Sequence, residues 1–271
     1  MPDKDQAELG VLARILESKR QEVAASKQDN PLAELRAAAE AAPPARPFLG
    51  ALRECHDVAV IAEIKRRSPS RGELAPGVDV ASRARGYQRG GAAALSVLTD
   101  GPFFGGSLAD LAAARQAVDL PVLRKDFIID ATQVYQARAA GADAVLLIAA
   151  ALEPGELEDL YQLARGLGMD ALLEVHAAHE LEPVLALDPP LVGVNNRDLK
   201  TLAVRLETSL DLCRLIPPEV FVVAESGVTE PAQVCLLRQG GLDAFLVGTS
   251  LMQAPDPTAA LAELVRAEAR S

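Results

Sequence analysis

Of the six charged residues inside or at the ends of apolar runs, where an ordinary chain keeps charge out, five combine lysine with glutamate. Glu63 and Lys65 fall in the run Ala59–Lys65, Lys125 ends Val122–Lys125, Glu174 sits within Ala171–Val175, and Glu225 ends Val220–Glu225. Such charges are rarely buried unless paired. Ammoniums set among carboxylates neutralise one another and shift one another's pKa values, which is what acid–base chemistry requires. Lysine is the informative choice, because the chain has 6 Lys against 21 Arg. Arg supplies generic positive charge here, whereas only a desolvated Lys gives up its proton near neutral pH. Lys65 and Lys125 are therefore candidates for proton transfer or imine formation. A second group ends the last two runs: Ser226-Gly227 after Glu225, and Gly248-Thr249-Ser250 after Ala244–Val247. Small residues with backbone N–H groups at a helix start suit a phosphate. The plainer role is capping of the next helix by Thr249 or Ser250, and the two are compatible.

Other polar residues end runs too, as in Asn195-Asn196-Arg197-Asp198, and for any one of them a simple return to solvent is an even alternative. Phe103, Phe104 and Phe127 follow the second and third runs and suit either a flat aromatic ligand or loop anchoring. His176 and His179 form an H-x-x-H without a third suitably spaced ligand, so a metal is not expected. Cys55, Cys213 and Cys235 lack C-x-x-C spacing and read as small buried hydrophobes.

The elements that position these groups are eight short apolar runs: Ala59–Lys65, Ala94–Leu98, Val122–Lys125, Ala144–Ile148, Ala171–Val175, Leu191–Asn195, Val220–Glu225 and Ala244–Val247. They are continuous rather than alternating, the mark of strands covered on both faces. Amphipathic stretches separate and follow them: Val80–Arg89, Ser107–Ala117, Ala131–Ala140, Pro154–Leu167, Ala177–Leu187, Leu206–Leu215, Pro231–Gln239 and Pro257–Ala269. Eight strand–helix units predict an α/β fold, a (β/α)8 barrel with an N-terminal helical extension, the extension being residues 1–53 and the barrel 54–271 of a single structural domain. The competing open sheet would want a G-x-G-x-x-G turn after the first strand, and none is there. Within the extension, Leu9 to Ala25 is amphipathic and is expected to cap the bottom of the barrel, although spacing does not exclude the mouth; Ala37 to Pro47 reads as a helix end and a stiff linker. Barrel sites lie at the C-terminal strand ends, where Glu63, Lys65, Lys125, Glu174 and Glu225 would converge.

A net charge of −11 over 271 residues argues against nucleic acid or anionic membrane as partners, but not against an anionic small molecule. With Lys65, Arg66, Lys125 and Arg197 at strand ends, a locally positive mouth on an acidic body is expected. The polar start and the lack of a long apolar run predict a cytoplasmic location.

The segment Ile61-Ala62-Glu63-Ile64-Lys65-Arg66-Arg67-Ser68-Pro69-Ser70 closely resembles the first-strand signature of indole-3-glycerol phosphate synthases, as do Leu123–Phe127, Leu172–Val175, Val192–Leu199, Ala224–Val228 and Phe245–Met252. The resemblance implies conversion of 1-(2-carboxyphenylamino)-1-deoxyribulose 5-phosphate to indole-3-glycerol phosphate with loss of CO2 and water. It implies no metal or organic cofactor, a phosphorylated small-molecule substrate, and a monomer or weak homodimer. By the resemblance, Lys125 is the general acid, Glu174 assists dehydration, Lys65 contacts substrate anions and is a second proton donor, and Glu63 orients a lysine. Asn195 and Arg197 are implied near substrate hydroxyl and carboxylate groups, with Glu225 also in contact. Ser226, Gly227, Gly248 and Thr249 are implied to bind phosphate with Ser68 beside them, and Phe104, Phe127, Leu146 and Leu246 to enclose the anthranilate ring. Two positions depart from the family pattern: Thr249, where serine is commoner, and Arg67, where a small residue is usual in a loop expected to be mobile. Another phosphosugar barrel, such as phosphoribosylanthranilate isomerase or a Schiff-base aldolase, and a non-catalytic binding barrel are the competing readings.

Overall fold

The computed structural model describes residues 10–199 and 201–267. Leu9 and the end of the Pro257–Ala269 stretch, both invoked above, lie outside them. Eight parallel strands close into a barrel in the order β1-β10-β9-β8-β7-β6-β5-β4. These strands are β1 (Ala59–Ile64), β4 (Ala94–Leu98), β5 (Val122–Lys125), β6 (Ala144–Ile148), β7 (Asp170–Val175), β8 (Leu191–Asn195), β9 (Phe221–Glu225) and β10 (Ala244–Val247). All eight expected runs are strands, with bounds shifted by at most a residue. A ribbon that the sequence did not signal, β2 (Arg67–Ser68) against β3 (Gly72–Glu73), folds the loop after β1 back on itself.

The strand residues divide into two layers by alternation. Val60, Ala62, Leu95, Val97, Val145, Leu147, Val192 and Val194 face the surrounding helices and form the larger apolar layer. Ile61, Leu123, Leu146, Leu172, Val223 and Leu246 belong to a second cluster that fills the barrel. This two-sided burial is why the runs carry no alternation.

The helices are α4 (Val80–Arg89), α5 (Leu108–Ala117), α6 (Ala131–Ala139), α7 (Pro154–Gly166), α8 (Leu181–Leu185), α9 (Glu207–Cys213), α10 (Pro231–Gln239), α11 (Thr249–Gln253) and α12 (Pro257–Val265). Side chains of Asp79, Ser107, Asp130 and Asp256 accept from backbone N–H groups at the starts of α4, α5, α6 and α12. The stretch expected as one helix over Ala177–Leu187 is instead a 3-10 turn, Ala178–Glu180, followed by α8. Pro183 explains the break: it has no N–H to donate one turn back and is tolerated only in the first turn of a helix.

The N-terminal extension holds α1 (Val11–Asp29), α2 (Leu32–Ala41) and α3 (Phe48–Arg53). The expected cap at the bottom is α3 and not α1. Phe48, Leu49 and Leu52 join the barrel-filling cluster beside Ala59 and Ala94, while the N–H groups of Arg46 and Leu49 donate to Asp143 (2.7 Å) and Asp170 (2.9 Å). The linker before α3 is extended, as its prolines dictate. α1 crosses the opposite end. Its Lys19 is 1% exposed and pairs with Asp100 (3.0 Å) and Asp126 (2.9 Å), which follow β4 and β5 at the mouth. Asp143 and Asp170 at the bottom are taken by the backbone before and within α3, and α1 docks where its buried ammonium is matched. Among the described residues, no helix is long and apolar enough to cross a membrane.

Candidate active site

Inward positions near the strand ends alternate between apolar and charged, so one cavity has an apolar flank and a charged floor. Its volume is about 460 Å³. Lys125 stands at the end of β5. Its Nζ donates to Glu174 Oε2 of β7 at 2.8 Å and to Glu225 Oε2 of β9. Lys65, just past β1, pairs with Glu63 Oε1 at 2.6 Å. Two glycines make room for these carboxylates. A Cβ on Gly193 of β8 would overlap the Glu225 carboxylate, and one on Gly248 would overlap that of Glu63.

The electrostatics separate the two carboxylates that share Lys125. Burial disfavours the Lys125 ammonium, but Glu174, Glu225 and Glu63 outweigh it and hold its pKa above the ordinary lysine value. Burial acts against ionised Glu174 as well, yet Lys125 and then His176 hold its carboxyl well below the usual range. Glu225 goes the other way. Burial, reinforced by Glu174 and only partly offset by Lys125, pushes it up to about 8. Its Oε1 is buried without a hydrogen-bond partner. The floor therefore carries an ammonium acid beside one firmly ionised carboxylate and one carboxyl that holds a proton near neutral pH.

The rim opposite is built from backbone. Ser226 and Gly227 both have positive φ (64° and 91°), a conformation that costs Ser226 strain and turns the chain sharply after β9. Asn196, 2% exposed, braces that turn by donating from Nδ2 to the Ser226 carbonyl at 3.0 Å. Gly248 occupies the N-cap of α11, with Thr249 at its first turn. Neither Thr249 nor Ser250 caps a helix with its side chain; Ser250 Oγ donates to the Val228 carbonyl at 3.3 Å instead. Asn195 Oδ1 accepts the Arg197 N–H at 3.0 Å, and Arg197 Nη1 donates to the Leu202 carbonyl at 3.0 Å. Burial, then Arg71, lowers the pKa of Arg197 from its ordinary value. Phe104 and Phe127 meet at 6.1 Å between ring centroids, tilted by 35°, and form the apolar flank with Leu146 and Leu246.

All sixteen candidate residues line this one cavity: Glu63, Lys65, Ser68, Phe104, Lys125, Phe127, Leu146, Glu174, Asn195, Arg197, Glu225, Ser226, Gly227, Leu246, Gly248 and Thr249. Three expectations need correction. Arg66 does not face the mouth; it binds Asp110 of α5 with both terminal nitrogens, at 2.5 and 2.7 Å. The mouth is not simply positive: Lys65, Arg71, Lys125 and Arg197 are matched in number by Glu63, Asp126, Glu174 and Glu225 along the cavity lining. Phe103 is not part of the cavity wall. The loop after β1 is also tied down: Arg67 Nη2 donates to the carbonyls of Gly101 (3.0 Å) and Pro102 (2.6 Å).

Sequence reasoning missed Val11, Leu12 and Ile15 of α1, which line the cavity, because periodicity finds a helix face without saying what it meets. It also missed His176. Glu174 and His176 share the i, i+2 spacing that had placed Glu63 and Lys65 on one face, so the signal was present in the same form.

A closed parallel barrel whose strand ends gather lysines, carboxylates and a rim of backbone and small residues has the layout of an acid–base enzyme of the (β/α)8 class. A family model described as indole-3-glycerol phosphate synthase matches residues 12–264. The chain is 51% identical over 257 residues to the indole-3-glycerol phosphate synthase of Aromatoleum aromaticum, covering 94% of this chain and 98% of that one. It is 50% identical over 258 residues to that of Bordetella pertussis, with the same coverage of 94% and 98%. A thiamine phosphate pyrophosphorylase from Pyrococcus furiosus superposes with a TM-score of 0.59 at 18% identity, over 78% of this chain and 95% of that one, and shares the fold. The chain belongs to the indole-3-glycerol phosphate synthase family, carbon–carbon lyases of tryptophan biosynthesis.

Proposed function

We propose that this cavity closes the indole ring of 1-(2-carboxyphenylamino)-1-deoxyribulose 5-phosphate, with Lys125 as the general acid. The observation that carries the reading is Lys125 Nζ at the cavity floor between Glu174 and Glu225. The ionised Glu174 carboxylate keeps that nitrogen an ammonium, fit to protonate a ribulose carbonyl oxygen as the aryl carbon attacks. An imine-forming lysine must be neutral, so the same geometry disfavours the aldolase alternative. Loss of CO2 restores the aromatic ring, and loss of hydroxide from the former carbonyl carbon with a proton from the adjacent methylene, the former ribulose C1, completes the indole. Glu174, kept ionised, is suited to accept that proton. Lys65, oriented by Glu63, contacts substrate anions and supplies the proton for the departing hydroxide. Asn195, Arg197 and Glu225 hold the hydroxyl and carboxylate groups. The phosphate lies on Ser226, Gly227, Gly248 and Thr249 with Ser68 alongside, and the anthranilate ring lies against Phe104, Phe127, Leu146 and Leu246. Phosphate contacts remote from the reacting atoms provide binding energy that fixes the geometry.

The reading assigns no metal or organic cofactor, no nucleic-acid or membrane partner, a cytoplasmic location, and a monomer or weak homodimer in which extension and barrel act as one unit. Fluorescence of the indole product, with purified protein and no added metal, tests it. Lys125→Ala and Glu174→Ala are each expected to lower kcat by about 10²–10⁴-fold with the circular dichroism spectrum retained. Near-normal turnover in a folded variant overturns the role of that residue.

A further inference from the structure

We propose that His176 is a positioning residue for Glu174: as an imidazolium clamped between Glu174 and Glu180, it keeps the Glu174 carboxylate ionised and aimed opposite Lys125. The inference rests on the assignment of Glu174 above and identifies what sets its state. Glu174 is held at both oxygens. Oε2 accepts from Lys125 at 2.8 Å, while Oε1 lies 3.2 Å from His176 Nε2. His176 in turn faces Glu180, with Nδ1 at 3.5 Å from Oε2, and that same oxygen accepts the His176 backbone N–H at 2.6 Å. The imidazole is 9% exposed, and neither ring nitrogen makes an aligned hydrogen bond, so the contacts act through charge. A neutral ring has one N–H and would leave its other nitrogen, a lone pair, buried against a carboxylate, an arrangement that costs free energy. A cation satisfies both sides.

The surrounding charges agree. Around the ring stand Glu174 from β7, Glu180 from the 3-10 turn, Lys125 from β5 beyond Glu174, and His179, whose Nε2 is 4.0 Å from Glu180 Oε1. Burial disfavours the charged ring, but the two glutamates outweigh it and raise its pKa to about 10. Glu225 shows the contrast. It shares Lys125 with Glu174 but has no partner at its second oxygen. The histidine is thus what distinguishes an ionised base from a protonated neighbour across the same lysine.

His176→Gln removes the charge and keeps a polar side chain of similar reach. It is expected to lower kcat about tenfold with KM within twofold. Loss of the cation raises the pKa of Glu174, so the acidic limb of the kcat profile, where Glu174 takes up a proton, moves to higher pH. A purely structural histidine would instead lower the melting temperature and leave kcat and the acidic limb of the folded variant unchanged, and that result overturns the proposal. Should His176→Gln not fold, two measurements remain. Glu180→Gln, behind the ring, is expected to lower kcat two- to threefold in the same pattern, and unchanged kinetics overturn the proposal. The imidazole nitrogen resonances of His176 in the unsubstituted protein are expected to be those of an imidazolium at pH 7.5, and a neutral ring overturns it. Glu174→Gln measured alongside separates the two failures: normal turnover there defeats the assignment of Glu174, whereas normal turnover in His176→Gln alone defeats only the role of the histidine.

Discussion

Asp126 follows Lys125 directly, yet it faces a different set of charges because successive strand residues point to opposite sides. Arg124 donates to its Oδ2 at 2.8 Å, Thr99 Oγ1 donates to the same oxygen at 2.6 Å, and Lys19 lies 2.9 Å from its Oδ1. Burial would raise its pKa, but Arg124 and Lys19 outweigh that and bring it down to about 2. A carboxyl whose pKa is depressed on folding stabilises the protein above its unfolded value near 3.9, and the stabilisation disappears as pH falls through the folded value. Asp126 is therefore expected to contribute about 2 kcal/mol at neutral pH, lost between about pH 4 and pH 2. Urea titrations over that range check this. Asp126→Asn should weaken the neutral protein and flatten the acid slope, and an unaltered slope would show that other carboxyls carry the acid sensitivity.

At the scale of elements, the extension acts as a strap. α1 lies over the mouth with Val11, Leu12 and Ile15 on the cavity, α2 packs along α6, and α3 closes the bottom. Besides Lys19, the strap is held by Lys27 to Asp130 (2.6 Å) and by Gln136 Nε2 donating to Ser26 Oγ (2.6 Å). The exposed Lys27 pair contributes little, so the buried Lys19 cluster dominates. Lys19→Met removes the ammonium from two buried carboxylates, and a loss of about 3 kcal/mol is expected, visible as a lower melting temperature. Because α1 forms cavity wall and carries none of the proposed acid–base groups, KM should rise by a larger factor than kcat falls. A KM equal to that of the unsubstituted protein would show that α1 stays docked without Lys19.

The whole molecule carries a net charge of −11, while its lysines at the mouth are paired internally. Self-repulsion of the acidic surface is screened by salt, with a Debye length of about 10 Å at 0.1 M. The melting temperature is therefore expected to rise as NaCl increases from about 10 to 100 mM; a fall would mean that surface ion pairs outweigh the net repulsion. The eight strands were legible in the sequence because two-sided burial writes each as a continuous apolar run, and the barrel followed from their number. Glu63, Lys65, Lys125, Glu174 and Glu225 were legible because charge within such a run demands a partner. The side of the barrel that α1 covers was not, since an amphipathic face records that a helix is buried and not against what. Nor was the different fate of Glu174 and Glu225, two glutamates in similar runs. His176 stands two residues beyond Glu174 and was signalled by that spacing, but only the tertiary structure sets Lys125 between the two glutamates and leaves Glu225 with an unpartnered oxygen, because the pKa of a buried carboxyl is set by charges a few ångströms away in space, several of them brought there from separate strands of the closed barrel.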